Sequence, residues 1–107
     1  MKILLIIPSY NEEKNVKKVH DVIENYNKTH EQKFDSLFVN DGSKDNTELE
    51  LCKNGCNHVL LVQNLGIGGA VQTGYKYALE HNYDIAVQFD GDGQHDVNYV
   101  QRSEERR

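Results

Sequence analysis

The segment Phe89-Asp90-Gly91-Asp92-Gly93-Gln94-His95-Asp96 concentrates hard oxygen donors in a chain of 107 residues. In extended backbone, side chains two residues apart share a face, so Asp90, Asp92 and Gln94 would bring together two carboxylates and an amide oxygen. Donors of this kind suit Mg²⁺ or Mn²⁺, which keep coordination positions open for substrate phosphates. Gly91 and Gly93 would let a diphosphate approach the backbone. The competing reading is a solvated acidic turn, because Asp and Gly are common in turns. A calcium-binding EF-hand is excluded. Counted from Asp90, loop position six is His95 in place of Gly and position twelve is Gln101 in place of Glu; counted from Asp41, the same positions hold Asn46 and Cys52.

Three further motifs carry candidate chemistry. In Val39-Asn40-Asp41-Gly42-Ser43-Lys44-Asp45, Asp41 can accept hydrogen bonds from a nucleobase edge or ribose hydroxyls, whereas Ser43 or Asp45 is expected to cap the helix that follows. In Ile7-Pro8-Ser9-Tyr10-Asn11-Glu12, Pro8 is expected to end a strand and Tyr10 offers an aromatic face for a base. The alternative there is a capping box, Ser9-x-x-Glu12, which needs no ligand. Asn64-Leu65-Gly66-Ile67-Gly68-Gly69-Ala70 has the look of a dinucleotide fingerprint. It lacks the third small residue at the required offset and follows the third strand instead of the first. Its glycines are read as permitting a tight turn and close helix–sheet packing. NAD binding is the weaker alternative.

These motifs need a scaffold, and the hydrophobic period supplies one. Lys2 to Ile7 is a continuous apolar run, as expected of a strand covered on both faces. Asn11 to about Lys28 has Val16, Val19, Ile23 and Tyr26 at helical spacing, with Asn11 as N-cap. A short strand from Leu37 to Val39, a helical stretch ending near Gly55, a strand over 58–62 and a helix over 68–81 follow. Ala70, Val71, Tyr75, Ala78 and Leu79 are expected on the inner side of that helix. The strand 85–89 comes last. The result is βαβαβαβ, the pattern of a mainly parallel sheet with helices on both faces, whose ligands bind at the strand C-termini. Every motif sits there.

Composition sets limits on partners. Twelve Lys+Arg against 17 Asp+Glu give a net charge of -5, which opposes binding to nucleic acid or to an anionic lipid surface. A phosphate-bearing ligand would therefore need a metal or backbone amides. No apolar run approaches the roughly 20 residues of a membrane span. Cys52 and Cys56 are expected as buried thiols of an intracellular protein, lacking the companion ligands of a four-ligand zinc site. The histidines show no cluster, and His20, His30, His58 and His81 are expected at the surface or at helix ends.

Taken together, PSYNE, VNDGSKDNT, NLGIGGAVQTG and DGDGQHD, in this order and spacing, resemble the family-2 glycosyltransferases, and most closely the dolichyl- or polyprenyl-phosphate mannosyl- and glucosyltransferase branch. The resemblance covers about residues 1–100 and implies a GT-A fold, of which this α/β segment is the N-terminal, nucleotide-sugar-binding part. It implies that Pro8, Tyr10, Glu12, Val39 and Asp41 line the base and ribose pocket of a GDP- or UDP-linked sugar donor. Asp90, Asp92 and Gln94 would be the ligands of Mg²⁺ or Mn²⁺ and of the diphosphate. Asn40 departs from the usual Asp at the first position of that motif. Such domains normally run on for about as long again, with the catalytic base and acceptor pocket in the continuation. The implied catalytic base therefore lies beyond residue 107, and 101–107 reads as a polar tail at a truncation point. The implied acceptor is a lipid phosphate, which would place the whole protein in the cytoplasm, peripheral at the membrane face. An open sheet edge would favour a homo-oligomer. A non-catalytic nucleotide-binding or interaction module is the alternative from another class.

Overall fold

The computed structural model describes residues 1–89. Seven elements alternate: β1 (Ile3–Ser9), α1 (Val16–Thr29), β2 (Phe34–Asn40), α2 (Thr47–Lys53), β3 (His58–Leu60), α3 (Gly66–Glu80) and β4 (Ile85–Gln88). The strands pair in the order β3-β2-β1-β4, all parallel, as the alternating pattern requires. The chain steps from β1 through β2 to β3 in one direction, then crosses back past β1 to β4. With right-handed crossovers, that reversal puts α1 and α2 on one face and α3 on the other.

Burial follows the same division. Ile3, Leu5 and Ile7 pack with Val16, Val19, Ile23, Tyr26 and Leu51 on the α1/α2 face, while Leu4 and Ile6 pack with Ala70 and Ala78 on the α3 face. Successive side chains of a strand point to opposite faces. The unbroken apolar run of β1 is thus the signature of a central strand covered twice.

Pro8 does not end β1; it continues within the strand opposite Val39 of β2. The reason lies in the pairing parity. The Ile6 carbonyl accepts from Phe89 N–H at 2.8 Å on the β4 side, whereas the Ser9 carbonyl accepts from Asp41 N–H at 2.8 Å on the β2 side. Pro8 shares the parity of Ile6, so its missing donor faces β4 and not β2, and the β1–β2 ladder continues past it to Ser9–Asn40. No bond of the β1–β2 ladder is lost.

Helix α1 starts at Val16 with Asn15 as its N-cap, four residues later than the expected Asn11, which adopts φ 55° in the loop instead of the extended conformation usual at an N-cap. The inner side of α3 also differs from expectation: Ala70, Gly74 and Ala78 are buried, while Tyr75 and Leu79 are 44% and 81% exposed. A stripe of small residues at i, i+4 and i+8 brings this helix close to the sheet. A Cβ on Gly74 would run into the side chain of Ile6, so close helix–sheet packing belongs to Gly74 and not to the 66–69 glycines. Gly66, with φ 82°, does make the tight turn.

Candidate functional site

At the C-terminal ends of β1 and β2, beside Gln88 of β4, a cleft of about 220 Å³ opens. Pro8, Ser9, Tyr10 and Glu12 line it from the β1 end, Asp41 from the β2 end, Ile67 from α3 and Gln88 from β4. This is the point at which the strand order reverses, where open α/β sheets bind their ligands.

Four of the five residues expected to bind the nucleotide, Pro8, Tyr10, Glu12 and Asp41, meet in that one cleft. Val39 does not reach it: its side chain is fully buried between the sheet and α3. Asp90, Asp92 and Gln94 lie outside the described residues. Ser9, Ile67 and Gln88 were missed by sequence reasoning. Gln88, the one polar side chain within the apolar run Ile85–Phe89, was a usable signal for a strand end turned toward a site.

The loops after β1 and β2 are sewn together. Asn11 N–H donates to Ser43 Oγ (3.0 Å), Glu12 N–H to Thr47 Oγ1 (2.9 Å) and Glu13 N–H to Asp45 Oδ2 (3.3 Å). In return, Lys44 N–H donates to Asn11 Oδ1 (2.9 Å) and Asn46 N–H to Glu13 Oε1 (3.1 Å). The capping-box alternative fails, since Ser9 sits in the strand and its hydroxyl donates to the Ile7 carbonyl at 3.2 Å. Neither Ser43 nor Asp45 is the N-cap of α2, which is Asn46; Asp45, one residue earlier, accepts from Thr47 N–H at 2.9 Å and from the Thr47 hydroxyl. Burial opposes its charged form, but the Thr47 and Glu13 hydrogen bonds outweigh that and hold its carboxyl below the usual value.

Asp41 is buried at the centre of the arrangement. Its Oδ1 accepts from Leu65 N–H at 2.7 Å and its Oδ2 from Gly66 N–H at 2.9 Å, while its carbonyl accepts from the Asn64 amide at 3.1 Å. The carboxylate thus pins the start of α3, where the helix dipole favours negative charge. The two amides that open α3 are occupied by it.

Asn40 is fully buried behind the cleft; its Nδ2 donates to Glu48 Oε1 at 2.9 Å and its Oδ1 accepts from Ser43 N–H at 3.1 Å. A carboxylate here would face Glu48 and repel it. The amide supports the turn from behind. His58 is half-buried, not a surface residue: its Nε2 lies 2.9 Å from Glu48 Oε2 and its Nδ1 2.9 Å from the Cys56 carbonyl. The two thiols also differ from each other. Cys56 is buried and its thiol is pushed up to about 11 by desolvation and the nearby Glu24, whereas Cys52 is exposed on α2.

The sequence profile described as "Glycosyl transferase family 2" matches residues 4–103. The chain belongs to glycosyl transferase family 2. Among curated relatives, it is 45% identical to the UDP-N-acetylglucosamine--dolichyl-phosphate N-acetylglucosaminyltransferase of Methanococcus voltae, over 87% of this chain and 42% of that protein. It is 31% identical to the undecaprenyl-phosphate mannosyltransferase of Micrococcus luteus, over 95% of this chain and 42% of that protein. This family-2 chain therefore spans about two-fifths of the length of these relatives. Among solved structures, Pyrobaculum calidifontis mannosyltransferase PcManGT in complex with GDP-Man and Mn²⁺ superposes with TM-score 0.65 at 22% identity, over 85% of this chain and 27% of that one. Staphylococcus aureus TarS 1-349 gives 0.70 at 24% identity, over 86% and 28% respectively. The fold is the GT-A fold of glycosyltransferases.

Proposed function

We propose that the cleft at the C-terminal ends of β1 and β2 holds the nucleoside diphosphate of a sugar donor, and that the whole family-2 protein transfers the sugar to a polyprenyl phosphate. One observation carries the reading: Pro8, Tyr10, Glu12, Asp41 and Gln88, drawn from three strand ends, converge on one cleft at the sheet's reversal point. The names of the relatives support the acceptor class.

In this reading Tyr10, 41% exposed, presents its ring to the base, and the carboxylate of Glu12 accepts from ribose or base donors. Asp41 anchors the floor of the cleft; each of its oxygens retains acceptor capacity beyond the backbone amide it already holds. Val39 supports the floor from the core.

The diphosphate meets an acidic surface, with Asp41 and Glu12 on it. A divalent cation fits this need, and the donor set fits the cation: Asp90, Asp92 and Gln94 offer hard oxygen donors and follow β4 in sequence. When bound, Mg²⁺ or Mn²⁺ supplies Lewis-acid neutralisation of charge on the leaving nucleoside diphosphate.

Calorimetry with GDP and UDP, with and without Mn²⁺, tests the assignment. Binding of one nucleotide is expected to strengthen at least about tenfold with Mn²⁺, an increment of ~1.4 kcal/mol, and to lose that increment in Asp92→Ala. Nucleotide affinity indifferent to both metal and Asp92→Ala would overturn the metal role. Absence of any nucleotide binding would favour an interaction module.

A further inference from the structure

Helix α2 turns Glu48 and Cys52, four residues apart, onto one face. That face looks onto His58, the first residue of the edge strand β3. Among the described residues these are the His, Cys, Asp and Glu side chains whose donor atoms gather, all within 4.8 Å of one another. None of the three lines the nucleotide cleft.

We propose that Glu48, Cys52 and His58 form a zinc site that ties α2 to β3. The donor atoms have the required size and spacing. In a tetrahedral site with Zn–S near 2.3 Å and Zn–N or Zn–O near 2.0–2.2 Å, donor atoms stand roughly 3.3–3.6 Å apart. Here Cys52 Sγ lies 3.8 Å from Glu48 Oε2 and 3.9 Å from His58 Nε2, and Nε2 lies 2.9 Å from Oε2. Adjustments of a few tenths of an ångström close the set around one ion. Thiolate, imidazole and carboxylate together favour Zn²⁺ over the hard cations that suit the Asp90 segment.

The surrounding hydrogen bonds orient two of the ligands. His58 Nδ1 sits 2.9 Å from the Cys56 carbonyl, an acceptor only, so Nδ1 keeps its proton, while Nε2, 2.9 Å from Glu48 Oε2, is the atom whose proton a metal would displace. Glu48 Oε1 accepts from Asn40 Nδ2 at 2.9 Å, which leaves Oε2 turned to the cluster. Asn40 is thus a positioning residue for this site, and its amide is suited to that task where a carboxylate would repel Glu48. Binding releases the Cys52 thiol proton, and any proton on Nε2, to solvent. A water takes the fourth position, since Cys52 is exposed.

The test is Co²⁺ titration of the reduced chain, followed by displacement with Zn²⁺. One equivalent of Co²⁺ is expected to give a thiolate-to-cobalt charge-transfer band in the near ultraviolet that Zn²⁺ abolishes. Cys52→Ser should remove the band, His58→Gln should weaken Co²⁺ binding at least about tenfold, and Cys56→Ser should change neither. Zn²⁺ should raise the melting temperature of the parent chain and leave that of Cys52→Ser unchanged; circular dichroism verifies that each variant folds. A band that is absent, that survives Cys52→Ser or that vanishes with Cys56→Ser overturns the proposal, as does unchanged affinity in folded His58→Gln. Metal on Asp90, Asp92 and Gln94 has oxygen ligands and produces no thiolate band, so the two sites are read separately.

Discussion

Asp41 was legible as a functional carboxylate from its place after a buried strand, but the partners it takes were not. Nothing in the sequence pairs residue 41 with residues 65 and 66; only the β2–β1–α3 packing does. Both oxygens hold backbone amides, so Asp41→Ala leaves two donors without their acceptor at the start of α3. We expect a loss of about 3 kcal/mol in urea denaturation, from two charge-assisted bonds whose removal is only partly relieved by water. Asp41→Asn should also destabilise, because its NH₂ must face one of the same N–H groups. Asp45 gives the residue scale a pH signature. Its native carboxyl is held below its usual value, so the stability it contributes is fully present above the unfolded-state value of about 4 and is lost as pH falls through the native one. The difference in urea midpoint between the parent chain and Asp45→Asn should therefore be largest near neutral pH and shrink below about pH 4.

At the scale of elements, α3 separates what sequence periodicity conveys from what it cannot. In α1 the large apolar residues Val16, Val19, Ile23 and Tyr26 mark the buried stripe, and the structure buries those four. In α3 the buried stripe is Ala70, Gly74 and Ala78, whose small side chains carry little hydropathic contrast against Val71, Tyr75 and Leu79. Close approach to the sheet selected for size there. Two glycines should therefore respond in opposite directions to the same substitution. Gly74→Ala drives a methyl into Ile6, itself fully buried, and should destabilise by about 1–2 kcal/mol after the gain in helix propensity is set against overpacking. Gly68→Ala meets nothing within 4 Å and should stabilise by roughly 0.5 kcal/mol. Thermal or urea melts of the pair check both signs. The short edge strand β3 was legible only as an apolar run; that His58 would turn toward Glu48 and Cys52 depended on how α2 lies against it.

Over the whole molecule, the cleft sits where the strand order reverses beside the central strand β1. The alternation of elements implied a parallel sheet with helices on both faces but not the order of its strands. Nor could it convey that the two loops walling the cleft behave as one body, joined by five hydrogen bonds between residues 11–13 and 43–47. Glu12 is held by that seam and by the start of α1, where its carbonyl accepts from Asn15 N–H (2.9 Å) and its Oε1 from Asn15 Nδ2 (2.8 Å); Tyr10 precedes the seam in the same loop. Asn11 is its keystone: its N–H donates, its Oδ1 accepts, and its φ of 55° sets the path of the chain. Asn tolerates that conformation better than Ala, and Gly adopts it without strain. Asn11→Gly should therefore lose only the Lys44 hydrogen bond, about 1 kcal/mol, whereas Asn11→Ala adds a left-handed backbone penalty of about 1 kcal/mol. If the seam pre-organises the cleft, the loosened loops visit the binding-competent arrangement less often, and the apparent dissociation constant rises by the inverse of that fraction. Calorimetric affinity for the nucleotide that binds in the presence of Mn²⁺ should then fall in the order parent, Asn11→Gly, Asn11→Ala. Equal affinities in the three folded proteins would mean that the nucleotide organises the loops itself.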